Sequence, residues 1–156
     1  MSKVAIGLDE LARKSAAEIL SGILANTYTL YLKTQKCHWH VSGPNFVSLH
    51  ALFEEQYEAL SEEVDELAER IRALNHKAPA SFSEFLKLSE IQDGERADAA
   101  KDMIQMLMAD HEKMASTFRN AIESLSALRD HSSADELTKH LAFHEKQAWM
   151  LRVQLV

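Results

Sequence analysis

Apolar residues recur along this chain every three or four positions, the spacing of one face of a helix. Leu8, Leu11, Ala12, Ile19, Leu20, Ile23, Leu24, Thr27, Leu30 and Tyr31 predict a first helix over about residues 8 to 36. The string Val41-Ser42-Gly43-Pro44-Asn45 breaks it, because glycine supplies positive φ and proline disfavours a helical conformation in the residue before it. A second helix is predicted over about 46 to 75. Its apolar positions Leu49, Phe53, Tyr57, Leu60, Val64, Leu67, Ile71 and Leu74 alternate four and three apart, the seam of a helix packed in a bundle. Residues 75–93 form a long connection in which Ser81 and Glu84 resemble a capping box that opens a short helix through Phe82, Phe85 and Leu86. Ile104, Leu107, Met108, Ala115, Phe118, Ile122 and Leu125 mark a third long helix. A second capping box, Ser133 with Glu136, is expected to open the fourth, which carries Leu137, Leu141, Ala148, Leu151 and Leu155.

Short breaks after the first and third long helices make each an antiparallel neighbour of the next, while the long middle connection lets the second and third run parallel. Four helices with one long crossover define the ferritin-like variant of the bundle. The expected fold is therefore all-α, a ferritin-like four-helix bundle with a short helix on the crossover between helices 2 and 3, and residues 1–156 read as one domain. Only four Gly and two Pro argue against a turn-rich β architecture. A single cysteine, Cys37, excludes an intrachain disulfide framework and fits a reducing compartment. The opening MSKVAIGLDELARK lacks the apolar stretch of a secretory signal, and no apolar run approaches the ~20 residues that span a bilayer, so a cytoplasmic location without membrane contact is expected. The formal charge of −7 disfavours a protein whose whole surface binds nucleic acid.

The polar face of the second helix carries the chemistry. With His50 at zero and about 100° per residue, Glu54 falls near ~40°, Asp65 near ~60° and Glu69 near ~100°, on one stripe flanking the seam centred near ~−60°. Asp65 lies 15 residues beyond His50, which is about 22 Å along a straight helix, so no single ion can touch both within one chain. The pair His50 and Glu54 and the pair Asp65 and Glu69 are placed symmetrically about the midpoint between residues 59 and 60. Two copies of the helix lying antiparallel across a two-fold at that point would bring one chain's His50 and Glu54 to the other's Glu69 and Asp65, making two identical sites from one patch. Ser61, on the same face near ~20°, is small enough to permit close approach. His38, at the end of the first helix, is folded back by the Gly-Pro break toward the start of the second. The resulting shell of His38, His50, Glu54, Asp65 and Glu69 mixes imidazole nitrogen with carboxylate oxygen, a set that suits iron, Mn²⁺ or Zn²⁺ and lacks the thiolates of a structural zinc or iron–sulfur site. Spacing alone leaves a merely solvated acidic face as the alternative.

The stretch His38-Trp39-His40-Val41-Ser42-Gly43-Pro44-Asn45-Phe46, followed by Leu49-His50 and by Asp65-Glu66-Leu67-Ala68-Glu69-Arg70, resembles the Dps family of mini-ferritins, as does the closing Phe143-His144-Glu145-Lys146-Gln147-Ala148-Trp149-Met150-Leu151. The resemblance implies a subunit that assembles into a hollow dodecamer, with ferroxidase centres at two-fold interfaces and ferric mineral stored inside. It implies His38, His50, Glu54, Asp65 and Glu69 as ligands of Fe²⁺, Trp39 as an electron donor beside the centre, and hydrogen peroxide, in preference to oxygen, as oxidant. It also implies that Asp135 lines an iron-entry pore. His40 stands where many members have Asn, and Glu54 where Asp is common.

Other candidates read differently. His111 and His144 fall in line with core positions and are expected to be packed and hydrogen-bonded, with Glu112 and Glu145 nearby leaving a second metal site open. No histidine has a glutamate three residues before it, and His-Glu-x-x-His is absent, which disfavours the intrasubunit di-iron centre of ordinary ferritins. Cys37 is expected to be a packed thiol and the six Met core filler. Glu55, Glu58 and Glu62 face either a mineral cavity or solvent. Lys3, Arg13 and Lys14 are diluted by Asp9 and Glu10, and nothing basic follows Val156, so direct DNA binding is expected to be weak. The alternatives to an iron-oxidising shell are a structural or DNA-compacting shell that binds metal incidentally, and a ferritin outside the Dps family.

Overall fold

The computed structural model describes residues 4–94 and 96–156; Lys3 lies outside them. Five helices follow one another: α1 (Glu10–His40), α2 (Phe46–Ala73), α3 (Phe82–Leu88), α4 (Ala100–Ala127) and α5 (His131–Arg152), with a closing 3₁₀ turn over Val153–Leu155. No strand occurs among the described residues. The fold is the all-α, ferritin-like four-helix bundle expected from the pattern, with α3 as the short helix on the crossover.

α1 starts where the Asp9 carboxylate accepts from the Ala12 amide at 2.8 Å, satisfying one of the orphan donors of a helix start. It runs about one turn further than the apolar pattern indicated, to His40, because nothing before Val41 interrupts it. Gly43 then takes φ +107°, the left-handed region that only glycine enters without strain. This tight reversal packs α2 along α1. α2 and α4 end alike, with Asn75 (φ 68°) and Arg129 (φ 64°) in left-handed conformations and the next amide bonding five residues back, His76 to Ile71 and Asp130 to Leu125.

The predicted seam of α2 lies inside: Leu49, Phe53, Leu60, Leu67, Ile71 and Leu74 are buried, with Tyr57 and Val64 partly so. They meet Leu20, Leu24 and Leu30 of α1. Leu107, Met114, Phe118 and Leu125 of α4 join Leu137 and Leu151 of α5 in the same core. Leu11, assigned to the apolar stripe of α1, instead is 74% exposed. The α1–α2 and α4–α5 hairpins pack on each other through α1 on α4 and α2 on α5, and α3 lies on α1. The diagonal relation of α2 and α4 is why their connection needs so many residues.

The expected Ser133–Glu136 capping box does not form. α5 opens three residues earlier, at His131, with Asp130 as N-cap. The Asp130 carboxylate accepts from the Ser133 amide (3.1 Å) and the Ser133 hydroxyl, and pairs with the Arg70 guanidinium at 2.8 Å. A charged cap already held by Arg70 outcompetes a serine three residues later, and Ser133 is left as a buried member of the first turn. Replacing Asp130 with alanine removes the cap and strands Arg70. Chemical denaturation is expected to show a loss of about 2–4 kcal/mol.

Candidate metal centre

The α1–α2 reversal brings His38, in the last turn of α1, against His50, in the second turn of α2. Their rings stack with centroids 3.7 Å apart and planes within 17°. Each ring bonds the other's backbone: His38 Nδ1 to the His50 carbonyl at 2.7 Å, and His50 Nδ1 to the His38 carbonyl at 2.8 Å. A carbonyl only accepts, so both Nδ1 atoms carry a proton and Nε2 is the position each ring can offer to a metal. This is the arrangement by which a protein fixes the tautomer of a metal-binding imidazole. The His38 carbonyl is free for this role because the last helical turn leaves carbonyls without intrahelical donors.

Tyr57, about two turns beyond His50 on α2, stands edge-on to His38 at 5.2 Å, and its hydroxyl lies 3.5 Å from Glu54 Oε1. Glu54 is half-buried one turn beyond His50. Desolvation and then the charges of Glu54 and Glu58 push the Tyr57 phenol up. Phe46 covers His50 at 4.9 Å. Trp39 is 59% exposed, and with Phe46 and Val47 it gives the centre an exposed apolar rim. Asp65 and Glu69 are exposed farther down the same helix, with Ser61, also exposed, between the two groups. One subunit thus brings His38 and His50 together, with Glu54 one turn further along α2 and not converging with both rings within 4.8 Å, and leaves Asp65 and Glu69 on the same stripe but out of reach, about 22 Å along the axis from His50 to Asp65.

His40 is exposed and lines a cavity with Lys36, Cys37, Asp98, Met103 and Met106. Cys37 is buried, and burial pushes its thiol up to about 11 against the opposing pull of Lys33 and Lys36, so it stays protonated. Asp135 is exposed on the early part of α5, and Glu55, Glu58 and Glu62 are exposed on α2. Arg13 is buried, bonded to the Leu74 carbonyl (3.2 Å) and to Glu10. Lys14 is exposed, 4.0 Å from Glu18.

A second polar cluster was not anticipated. His111 and His144 are buried, as expected, and bond each other, Nδ1 to Nδ1 at 2.8 Å. His144 Nε2 reaches Glu63 Oε1 at 3.3 Å, which also accepts from the Thr27 hydroxyl at 2.8 Å. All four long helices contribute to this chain of contacts, and its centre, Glu63, is 1% exposed. Burial alone would raise the Glu63 carboxyl; the charge and hydrogen bond of His144, then His140 and Thr27, outweigh it and hold it below the ordinary carboxylate value. Burial, and next the charge of His144, push His111 well down, so it stays neutral. The signal for this cluster was present as spacing. Gln56 and Glu63 sit seven apart on α2, opposite His140, His144 and Gln147 on α5, and Gln56 Nε2 donates to Gln147 Oε1 at 3.0 Å.

Residues 17–156 match the sequence pattern of the ferritin-like domain. The chain is 38% identical over 154 residues to a low-temperature-induced protein of Nostoc sp., covering 97% of this chain and 86% of that one. It is 35% identical to DNA protection during starvation protein 2 of Bacillus anthracis, covering 91% and 97%. Among solved structures, the Dps protein of Vibrio cholerae O1, described as a member of a superfamily of ferritin-like diiron-carboxylate proteins, superposes with a TM-score of 0.93 at 31% identity over 100% of this chain and 98% of that one. Dps of Thermosynechococcus elongatus gives 0.90 at 30% identity over 94% and 93%. With the bundle, the crossover helix and these likenesses extending over nearly its whole length, the chain belongs to the Dps family, within the ferritin-like superfamily.

Proposed function

We propose that this protein oxidises Fe²⁺ at centres shared by paired subunits and stores the Fe³⁺ produced inside a hollow homo-dodecamer in the cytoplasm, each chain contributing one domain. Family membership supports the broader role, iron storage and protection. The observation that carries the catalytic reading is the reciprocally bonded His38–His50 pair, whose Nε2 atoms take no part in those bonds, on a face whose apolar rim calls for a covering partner. A second copy laid antiparallel on α2 supplies Asp65 and Glu69 to complete the shell. Iron is substrate and cargo here; Zn²⁺ or Mn²⁺, which favour similar donors, would compete for the same ligands.

In this reading the imidazoles and carboxylates bind Fe²⁺ and stabilise Fe³⁺, whose higher charge favours the anionic oxygens. One hydrogen peroxide takes one electron from each of two Fe²⁺ and two protons, its O–O bond breaks, and two waters leave. Trp39, next to His38 in sequence, is placed to donate an electron when a single iron meets peroxide. Asp135 lies on α5 as a candidate lining of an entry pore. The test is the stoichiometry: about one peroxide consumed per two Fe²⁺ oxidised, with little hydroxyl radical trapped, separates this reaction from oxygen-driven oxidation and from a passive scaffold, which consumes none.

Direct DNA binding is not part of this proposal. Arg13 is committed to Leu74 and Glu10, Lys14 lies beside Glu18, and each subunit carries a formal charge of −7. A gel-shift assay at neutral pH and ordinary salt is expected to show no retardation of a duplex; stoichiometric retardation would revive the DNA-compacting alternative.

A further inference from the structure

A second group of metal-ligating side chains lies within one subunit, between α2 and α5 and apart from the His38–His50 face. One oxygen each of Glu66 and Glu136 and one ring nitrogen of His140 all lie within 4.8 Å of one another. Glu136 and His140 are four apart on α5 and so share a face. Acidic groups at a surface gather without a ligand in many proteins, but three features of this one call for a cation.

His140 is 6% exposed, and its Nε2 lies 3.0 Å from Glu66 Oε2 yet makes no hydrogen bond of acceptable geometry. Glu136 Oε1 is likewise buried with no hydrogen-bond partner. A nitrogen and an oxygen about 3 Å apart but poorly aligned for a hydrogen bond are at the separation of adjacent ligands on one ion whose bonds are about 2.0–2.2 Å long. On its other side His140 presents Nδ1 to Glu63 Oε2 at 3.4 Å. That oxygen too is buried without a hydrogen-bond partner. A carboxylate behind the imidazole is the outer support that metal-bound histidines commonly have. Burial and then the neighbouring Glu66 charge push Glu136 up, against the opposing pull of Arg70 and Lys139.

We infer that Glu66, Glu136 and His140 form a binding site for one divalent transition-metal ion inside each subunit, with Glu63 orienting His140 and solvent completing the coordination. One nitrogen and two carboxylate oxygens suit Zn²⁺, Co²⁺, Mn²⁺ or Fe²⁺. Access is from the surface, where Glu66 is part-exposed. The cation there now is the ammonium of Lys139, 3.1 and 3.2 Å from the two Glu66 oxygens and itself largely exposed. Such a surface pair is weak enough for an incoming ion to displace.

The site needs no second subunit, which makes it separable from the proposed interface centre. Crystals of the full chain exposed to CoCl₂ are expected to show an anomalous peak bonded to Glu66, Glu136 and His140 of one subunit, whatever appears at His38 and His50. In solution, Glu66→Gln and Glu136→Gln, which preserve shape, are each expected to lower bound Co²⁺ by one ion per subunit in equilibrium dialysis. The initial rate of Fe²⁺ oxidation is expected to stay unchanged in both. No peak at His140, or full Co²⁺ stoichiometry in both variants, overturns the inference. A peak only at His38 and His50 overturns it while leaving the interface proposal standing, and a peak only at His140 does the reverse.

Discussion

Replacing His50 with alanine is expected to slow peroxide-driven Fe²⁺ oxidation at least about tenfold while the assembly remains intact. Two losses combine. The Nε2 ligand disappears, and so does the ring that His38 stacks on and whose Nδ1 holds the His38 carbonyl. His50 is only half-buried, so the fold loses little. The sharper form of the experiment uses Glu69→Gln as a second variant. Under the shared-site reading each variant alone is impaired, because every site lacks one ligand. In assemblies formed from an equal mixture, half the dyads pair unlike chains, and each of those holds one intact site made of His50 from one chain and Glu69 from the other. About a quarter of all sites should then recover, a consequence of the isologous contact. Sites confined to single subunits would show no recovery, and that outcome would end the dyad reading.

The seam from Leu49 to Leu74 was legible because burial on one face of a long helix imposes a period that composition cannot hide. The meeting of His38 and His50 was legible because a five-residue reversal leaves few places for the two helix ends to go. Their mutual ring-to-carbonyl bonds were not, since these depend on the register and rotation of α1 against α2 at the scale of an ångström. Asp130 was passed over as a cap because Ser133 with Glu136 also fits the capping pattern. The choice between them is made by Arg70, 60 residues away in the chain. Glu63 was missed for a different reason. A glutamate on an acidic helix reads as solvated, and only the facing His140 and His144 on α5 show that its partners are internal. The same blind spot hid Glu66 and Glu136.

Glu63→Ala is expected to produce the largest loss of stability of any single change on α2's polar face, about 3–5 kcal/mol, because it leaves His144 Nε2 and its neighbours buried without their acceptor. At roughly 2–4 °C per kcal/mol for a chain of this size, the thermal midpoint should fall by about 6–20 °C, compared at equal subunit concentration. Glu63→Gln keeps an acceptor for His144 and Thr27 and should lose less, and its value lies in the pH profile. The folded Glu63 carboxyl sits below its ordinary value of 4.5, so its contribution is complete above pH 4.5 and is lost as the pH falls through the lower, folded value. His111 and His140 are held below 6.5, chiefly by burial, so the unfolded chain takes up their protons first and stability begins to fall as the pH drops below 6.5. Wild type should therefore lose stability in two stages, the first below pH 6.5 and the second below 4.5. Glu63→Gln should retain the first stage, which belongs to the histidines, and flatten the second. Subtracting the two curves cancels the carboxyls common to both, so an unchanged slope below pH 4.5 in the Gln variant would show that Glu63 is not the acid-sensitive pin of the core.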